Sequence, residues 1–459
     1  MNTQRLGCFK AYDIRGKIPD DFNEEMAYIL GRAYVAEVKP GGAIAVGRDI
    51  RDSSVSLSKA MIRGINDAGI DTVDIGLSGT EMVYFASSLE GMGGGAMITA
   101  SHNPKGYNGI KLVKKNARPI SGDTGLLDME YRVRTGDVPP KASHAGTNKE
   151  LDVMSDYVKR ILSFINPDIL KPLIILANPG NGCAGPVIDV MESMLPFKIK
   201  RLNFDPDGTF PNGIPNPLLI ENRSMTSNAV IASGADMGVA WDGDFDRCFL
   251  FDEKGQYIEG YYLVGFLAKR ILGRMPGEKI VIDPRLTWNS FDIVKKAGGE
   301  TVVSKSGHSF IKEKMRSTNA VYGGEMSAHH YFRDFSFSDS GMIPWLLVAE
   351  ELSITGHKLS ELVEKRIKMY PCSGEINRTV DDPDKVLTKV KEHFTGEASA
   401  VTELDGISME FGTTWRFNLR KSNTEPLVRL NVEAYRDIEL MKDRTRYILE
   451  LMSGNDENN

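Results

Sequence analysis

Apolar residues in this chain gather in short runs, and several of these enter loops of Gly, Pro, Asp or Asn. Three such runs open three similar stretches. Ala43-Ile44-Ala45-Val46 leads into Gly47-Arg48-Asp49, Leu173-Ile174-Ile175-Leu176 into Ala177-Asn178-Pro179-Gly180, and Lys279-Ile280-Val281-Ile282 into Asp283-Pro284-Arg285. Runs of this kind, bounded by turn residues, predict buried strands. A helical spacing follows each loop: Leu57, Met61 and Ile65; then Val187, Met191 and Met194; then Ile293, Val294 and Ala297. Second strands are predicted at 72–75, 199–202 and 301–303, so each stretch reads as a βαβ unit.

In each stretch a third strand runs into a loop dense in reactive side chains. These are GAMITASHNPKGYNG (95–109), MGVAWDGDFDR (237–247) and AVYGGEMSAHH (320–330). Sites in open α/β sheets form at the carboxyl ends of strands, so three such loops are placed to build one site. The plainer alternative is that any large α/β protein repeats βαβ units. Beyond about residue 367 the texture changes. Trp415, Phe417 and Leu419 alternate with Arg416, Asn418 and Arg420, predicting a half-buried strand. Another strand is expected at 427–432, and a helix of about 15 residues after Asp437. The expected fold class is α/β: three similar α/β domains at 1–145, 146–254 and 255–366, then a smaller α+β domain at 367–459. The Pro-rich stretch GDVPPKASHAGTNKE (136–150) carries the first break.

Composition narrows the function classes. A chain of 459 residues, 41% apolar and 26% charged, is long enough for several domains with large cores. The net charge of −6 and the lack of a long basic run argue against a general nucleic-acid binder, but leave room for a small anionic substrate. Cys8, Cys183, Cys248 and Cys372 are far apart and form no CxxC pair, so neither a zinc site nor a disulfide framework is expected. The N-terminal MNTQRLGCFKAYDIRG lacks an apolar signal region, and no run of about 18 apolar residues exists to span a bilayer. A cytoplasmic location is expected, with no membrane association and no obligate protein partner.

Four loops hold the candidate chemistry. Asp242, Asp244 and Asp246 alternate at the end of an apolar run. Carboxylates this close repel unless a cation lies among them, and an all-oxygen set suits Mg²⁺ or Ca²⁺. An EF-hand is rejected, because Arg247 stands where that loop needs Gly and strand-like Cys248-Phe249-Leu250-Phe251 replaces its remainder. In TASHNPKGYNGIK, Ser101 follows a strand within a loop expected to hold its hydroxyl exposed. Either a nucleophile or an ordinary turn serine fits that place. His102, adjacent in sequence, is not expected to serve as its base, whereas Lys111 offers a positive charge or a proton-transfer group. Glu325 and Ser327, in GEMS, form an acceptor–donor pair suited to vicinal sugar hydroxyls. His329 and His330 fall on opposite faces of a strand, which argues against joint metal binding. The loop RKSNTEP (420–426) combines a guanidinium, hydroxyls and backbone N–H groups suited to a phosphate; a plain hairpin turn is the alternative. Together these groups describe phosphoryl transfer on a phosphosugar.

TASHNP, DGDFDR, GEMS and RxSNTEP, in this order and spacing, resemble the signature loops of the α-D-phosphohexomutase superfamily. The likeness spans the whole chain, including FKAYDIRG near the start and GHSFIK at 307–312. It implies three similar α/β domains with mixed sheets and a C-terminal domain around a central cleft. It implies a phosphoserine at Ser101, and Mg²⁺ held by Asp242, Asp244, Asp246 and the Ser101 phosphate. Arg247 would lie beside them, with Lys111 as general base. Glu325 and Ser327 would bind sugar hydroxyls. Arg420, Ser422, Asn423, Thr424 and Arg429 would hold the non-reacting phosphate, and Tyr12, Arg15, Arg285, His308 and His329 match further substrate-binding positions. Glucose 1,6-bisphosphate or mannose 1,6-bisphosphate would prime the enzyme. The likeness is greatest to the bacterial mannose phosphate branch that feeds GDP-mannose and surface polysaccharides. In the family this loop resembles, GEMS grips hydroxyls that mannose and glucose share, so glucose phosphate or dual specificity stays open. A metal-dependent sugar phosphatase and a non-catalytic phosphosugar-binding protein are more distant alternatives.

Overall fold

The computed structural model describes residues 5–422 and 427–453. It divides into two compact units, one of residues up to 257 with 329–356, the other of 258–328 with residues from 357 onward.

In the first unit the predicted run at 43–46 becomes the strand Ala43–Arg48, flanked by parallel strands Thr72–Leu77 and Met92–Ile98. Tyr107–Lys114 and Ile14–Lys17 extend the sheet antiparallel on one side, and Asn148–Glu150 closes the other. Leu57, Met61 and Ile65 form one face of the helix Ser54–Asp67 and are fully buried in a core with Ile44 and Val46. Burying each such side chain contributes about 1.5–3 kcal/mol. This helix packs closely on Glu24–Val38, and a Cβ at Gly64 would lie 2.1 Å from the Tyr28 carbonyl oxygen.

A second mixed sheet in this unit carries Ile174–Asn178 between the parallel strands Lys198–Arg201 and Met237–Ala240, with Phe249–Asp252 antiparallel at the next position. The helical face Val187 and Met191 is buried as expected, but Met194 is not part of it. The helix Ala184–Glu192 ends earlier, and Met194 is exposed. Pro196 disfavours helical backbone at Leu195, so the chain turns before another helical turn forms.

In the second unit Lys279–Ile282 lies between the parallel strands Glu300–Val303 and Tyr322–Gly324, and the helices Gly260–Arg274 and Trp288–Lys296 pack together. A five-stranded antiparallel sheet follows, in the order Ile376–Thr379, Leu427–Ala434, Trp415–Lys421, Ile407–Phe411, Ala400–Thr402. The helix after Asp437 forms as Ile438–Met452, its first turn capped by the Asp437 carboxylate accepting from the Leu440 N–H at 2.9 Å.

The strand Trp415–Lys421 is buried on both faces, not half-buried. Trp415, Phe417 and Leu419 join the apolar core, as the alternation requires. On the opposite face Arg416 donates to Glu433 at 2.8 Å and to the carbonyls of Pro284 and Arg285 at 3.0 Å each, while Asn418 donates to Ser408 at 3.0 Å. The alternation marks which residues need polar partners; here protein supplies them instead of water. No helix among the described residues is long and apolar enough to cross a membrane.

Candidate active site

The strand Met92–Ile98 delivers Ser101 at φ +50°, a left-handed conformation costing a non-glycine residue about 1–2 kcal/mol. Surrounding bonds hold it there. The Ser101 N–H donates to Thr99 Oγ1 at 2.8 Å. The Arg51 guanidinium donates to four loop carbonyls, those of Ser101 (2.9 Å), Asn103 (2.6 Å), Pro104 (3.1 Å) and Tyr107 (3.1 Å). Arg51 is itself buried and paired with Asp49. No motif marks Arg51 in the sequence; it stands near the end of the first predicted strand.

The expectation of an exposed Ser101 hydroxyl is overturned, for the residue is 1% exposed. Its hydroxyl donates to Asp242 Oδ2 at 2.7 Å, and His102 Nδ1 lies 2.9 Å from Ser101 Oγ. Adjacency in sequence does not separate the two side chains, because the left-handed turn at Ser101 folds the imidazole back. Burial, followed by the charges of Arg247 and Arg15, pushes His102 well below its ordinary pKa, so the ring is neutral.

Asp242, Asp244 and Asp246 are all buried, and each offers one carboxylate oxygen to a group lying within 4.8 Å. The Oδ1 of each is buried without a hydrogen-bond partner among the described residues. Three buried carboxylates this close, each with one oxygen lacking a hydrogen bond, fit a hard cation, whose charge would add to that of the basic side chains beside them. Gly243 makes the approach to the serine loop possible; a Cβ there would lie 2.8 Å from the Ser101 carbonyl oxygen. The second oxygens are engaged. Asp244 Oδ2 accepts from Thr80 Oγ1 and, at 2.7 Å, from Lys111 Nζ, which also donates to Asp246 Oδ2 at 2.6 Å. Burial, then repulsion from Asp246 and Asp244, pushes the Asp242 carboxyl up to about 7. Burial alone would lower the Lys111 pKa, but Asp244 and Asp246 outweigh it and raise it above the lysine range. Lys111 is therefore an ammonium in this arrangement, and service as a base requires that this pairing first loosen.

Arg247 Nε lies 3.5 Å from Asp242 Oδ2 and donates to His329 Nε2 at 3.3 Å. His329 Nε2 is 3.5 Å from Asp246 Oδ1 and 3.9 Å from Asp339 Oδ2. Thus His329 belongs with the acidic loop, although in sequence it follows GEMS closely. His330 is fully buried. Arg15 donates to Asp13 and to Asn103, each at 2.7 Å, which places it on the serine loop. Tyr12 is half-buried just before the strand Ile14–Lys17.

The second unit gathers the remaining residues. Glu325 Oε1 accepts from the Gly307 N–H at 2.6 Å, joining GEMS to the turn that starts the helix His308–Thr318, with His308 as its first residue. Arg285 is 2% exposed and bidentate to Asp283, at 3.0 and 2.8 Å. Its Nη2 also reaches Ser327 Oγ at 3.4 Å. Arg285 is therefore held by protein partners beside the GEMS loop. Arg420 and Arg429 are cross-strand neighbours sharing the Glu375 carboxylate. The Ser422 N–H donates to the Leu427 carbonyl at 2.9 Å. Asn423 and Thr424 lie outside the described residues. Thr80, Asp339 and Glu375 carry no spacing signature in the sequence, since each meets its partners only through the fold.

Models of the phosphoglucomutase/phosphomannomutase family match along the chain: alpha/beta/alpha domain I at 7–128, domain II at 155–255, domain III at 259–370 and the C-terminal domain at 375–450. A phosphomannomutase of Salmonella montevideo is 54% identical over 98% of this chain and 99% of its own. The chain belongs to this family. As a phosphoglucomutase/phosphomannomutase family member it is an enzyme of the isomerase class. A protein of Xanthomonas campestris pv. campestris described as phosphohexose mutases is 52% identical over 98% of this chain and all of its own. The crystal structure of a phosphoglucomutase/phosphomannomutase family protein from Burkholderia thailandensis superposes with a TM-score of 0.87, at 32% identity and 98% coverage of both chains. The family membership implied by TASHNP, DGDFDR, GEMS and RxSNTEP is thus established.

Proposed function

We propose that this family member interconverts mannose 6-phosphate and mannose 1-phosphate, using phospho-Ser101 as the phosphoryl donor. The observation that carries the reading is the Ser101 hydroxyl bonded to Asp242 within a buried three-carboxylate group. Whole-chain identity of 54% to a phosphomannomutase supports mannose as the sugar. In the first transfer the free hydroxyl oxygen of the sugar attacks phosphorus. Its bond forms as the bond from phosphorus to Ser101 Oγ breaks, giving a hexose 1,6-bisphosphate. The hydroxyl proton passes to Lys111 in its amine form. In the second transfer the Ser101 Oγ freed in the first attacks the other phosphate of the reoriented intermediate; the bond from that phosphorus to the sugar oxygen breaks, and the sugar oxygen takes back the proton held by Lys111. Asp242, Asp244, Asp246 and the phosphate on Ser101 would hold Mg²⁺, which would supply positive charge for the transferring group. Arg247 offsets charge beside it.

The reading assigns Glu325 and Ser327 to the sugar hydroxyls. It assigns Arg420, Ser422 and Arg429, with Asn423 and Thr424, to the non-reacting phosphate, and Tyr12, Arg15, His308 and His329 to further substrate contacts. Glucose 1,6-bisphosphate or mannose 1,6-bisphosphate would restore dephosphorylated enzyme. We place the domains at 1–145, 146–254, 255–366 and 367–459, and the enzyme in the cytoplasm, feeding GDP-mannose and surface polysaccharide synthesis. The Xanthomonas relative described as phosphohexose mutases favours dual specificity as the second reading. Parallel assays with mannose 1-phosphate, glucose 1-phosphate and glucosamine 1-phosphate separate the two. Stoichiometric release of inorganic phosphate in place of isomer would refute both.

A further inference from the structure

Arg420 and Arg429 are directly opposite each other on neighbouring antiparallel strands. Two like charges in that register repel, so the pair needs a counter-charge to hold its geometry. Glu375 supplies it. This residue stands immediately before the strand Ile376–Thr379, which pairs with Leu427–Ala434 and so brings the carboxylate alongside Arg429. Its Oε1 accepts from Arg429 Nη1 at 3.0 Å, while Oε2 accepts from Arg420 Nη2 at 3.4 Å and Arg285 Nη1 at 3.0 Å. Burial would raise the Glu375 pKa, but Arg285, Arg420 and Arg429 lower it to about 2, so the group is ionised at any ordinary pH.

Asp283 holds Arg285 through two hydrogen bonds, and Glu375 is the carboxylate that Arg420 and Arg429 share. The Nε atoms of Arg420 and Arg429 are buried without a hydrogen-bond partner among the described residues. A guanidinium anchored through one terminal nitrogen keeps its other donors in a fixed direction, which suits a phosphate. Arg285, held by the same carboxylate, also reaches Ser327 Oγ at 3.4 Å and stands 3.9 Å from Glu325 Oε1.

We infer that Glu375 is a positioning residue for phosphate recognition: its carboxylate sets Arg420 and Arg429 side by side and couples them, through Arg285, to the loop of Glu325 and Ser327. This rests on the reading above that Arg420 holds the non-reacting phosphate. The carboxylate organises the donors and does not itself touch the substrate.

The test is steady-state kinetics of the full-length enzyme in both directions, with Glu375→Gln, Glu375→Asp, Arg420→Ala and the Glu375→Gln/Arg420→Ala double variant. Glu375→Gln is expected to raise KM about 10-fold for the 1-phosphate and 6-phosphate sugars alike, with kcat within about 3-fold. Glu375→Asp should recover part of this, and the double variant should be no worse than Arg420→Ala, because both changes remove one device. Circular dichroism checks the fold; if the Gln variant does not fold, the Asp variant must still show a raised KM. An unchanged KM, a fall in kcat alone or additive losses in the double variant would overturn the proposal. A lower KM with stronger inhibition by inorganic phosphate would also overturn it, making Glu375 a competitor for the site. If Arg420→Ala leaves KM unchanged while Glu375→Gln raises it, the phosphate reading of Arg420 falls and takes the proposal with it.

Discussion

The Ser101 hydroxyl donates a 2.7 Å hydrogen bond to Asp242, a residue 141 positions further along the chain. The bond joins the proposed phosphoryl carrier to the carboxylate whose proton affinity is raised by burial and by its two acidic neighbours. Replacing Ser101 by Ala is expected to lower turnover by about 10³-fold or more. It should cost little stability, since the backbone strain at φ +50° is present already and one hydrogen bond contributes about 1 kcal/mol. Intact-mass analysis should find about 80 Da of phosphate on the wild type only. Phosphate mapped to another serine would exclude Ser101 as the carrier.

Asp244 accepts from Thr80 and Lys111 through one oxygen and leaves the other unpaired. Asp244→Asn removes a charge from a hard-cation site and turns an amide toward Lys111. Mg²⁺ affinity is expected to fall about 10-fold or more, with slower transfer. Activity indifferent to both EDTA and this substitution would remove the metal from the mechanism.

The raised pKa of Asp242 sets a pH dependence with a definite sign. A carboxyl at about 7 in the folded protein holds its proton where the unfolded chain has lost it. In metal-free protein this contribution to stability is therefore present below about pH 4 and lost as pH rises through about 7. A cation must displace that proton. Apparent Mg²⁺ affinity should rise up to about 10-fold per pH unit until about pH 7 and level off above it. Calorimetry in buffers of different ionisation heat should detect the released proton; a flat affinity between pH 5.5 and about 7 would contradict the assignment.

Arg420 is nearly buried and bonded only through one terminal nitrogen among its described contacts. Arg420→Ala should raise KM in both directions by similar factors, about 10- to 150-fold, for loss of a charge-assisted contact of roughly 1.5–3 kcal/mol. The variant should need more added glucose 1,6-bisphosphate, because a loosened bisphosphate escapes before it reorients. Loss of Ser101 phosphorylation with normal binding of mannose 1-phosphate would instead place Arg420 at the chemical step.

The strands were legible because their burial is written in continuous apolar runs, as at 43–46 and 279–282, and Asp437 announced its helix by capping chemistry. The acidic triad was legible because three alternating carboxylates are costly without a ligand. Periodicity misplaced Met194, where a proline ends the helix before the pattern does. It also misjudged the polar face of Trp415–Lys421, since alternation says which residues are polar and not what covers them. Thr80, Arg51, Asp339 and Glu375 left no mark. Each is a single residue whose meaning comes from a partner far away in sequence, as Thr80 from Asp244, 164 positions on. His329 shows the same limit, because its neighbours in sequence include Ser327 while its neighbours in space are Arg247 and Asp246.

The hydrogen that stands for a side chain at Gly243 sets a tolerance of less than a methyl group between the two loops on which the proposed chemistry depends. One added carbon would press on the Ser101 carbonyl at 2.8 Å, and Arg51 holds that carbonyl from another side. Retreat of the serine loop would have to stretch its bonds to Arg51. A wedge at this position therefore acts as a spacer that leaves every reactive group in the chain and separates the phosphate carrier from the carboxylates. It distinguishes having the right residues from having them at the right separation.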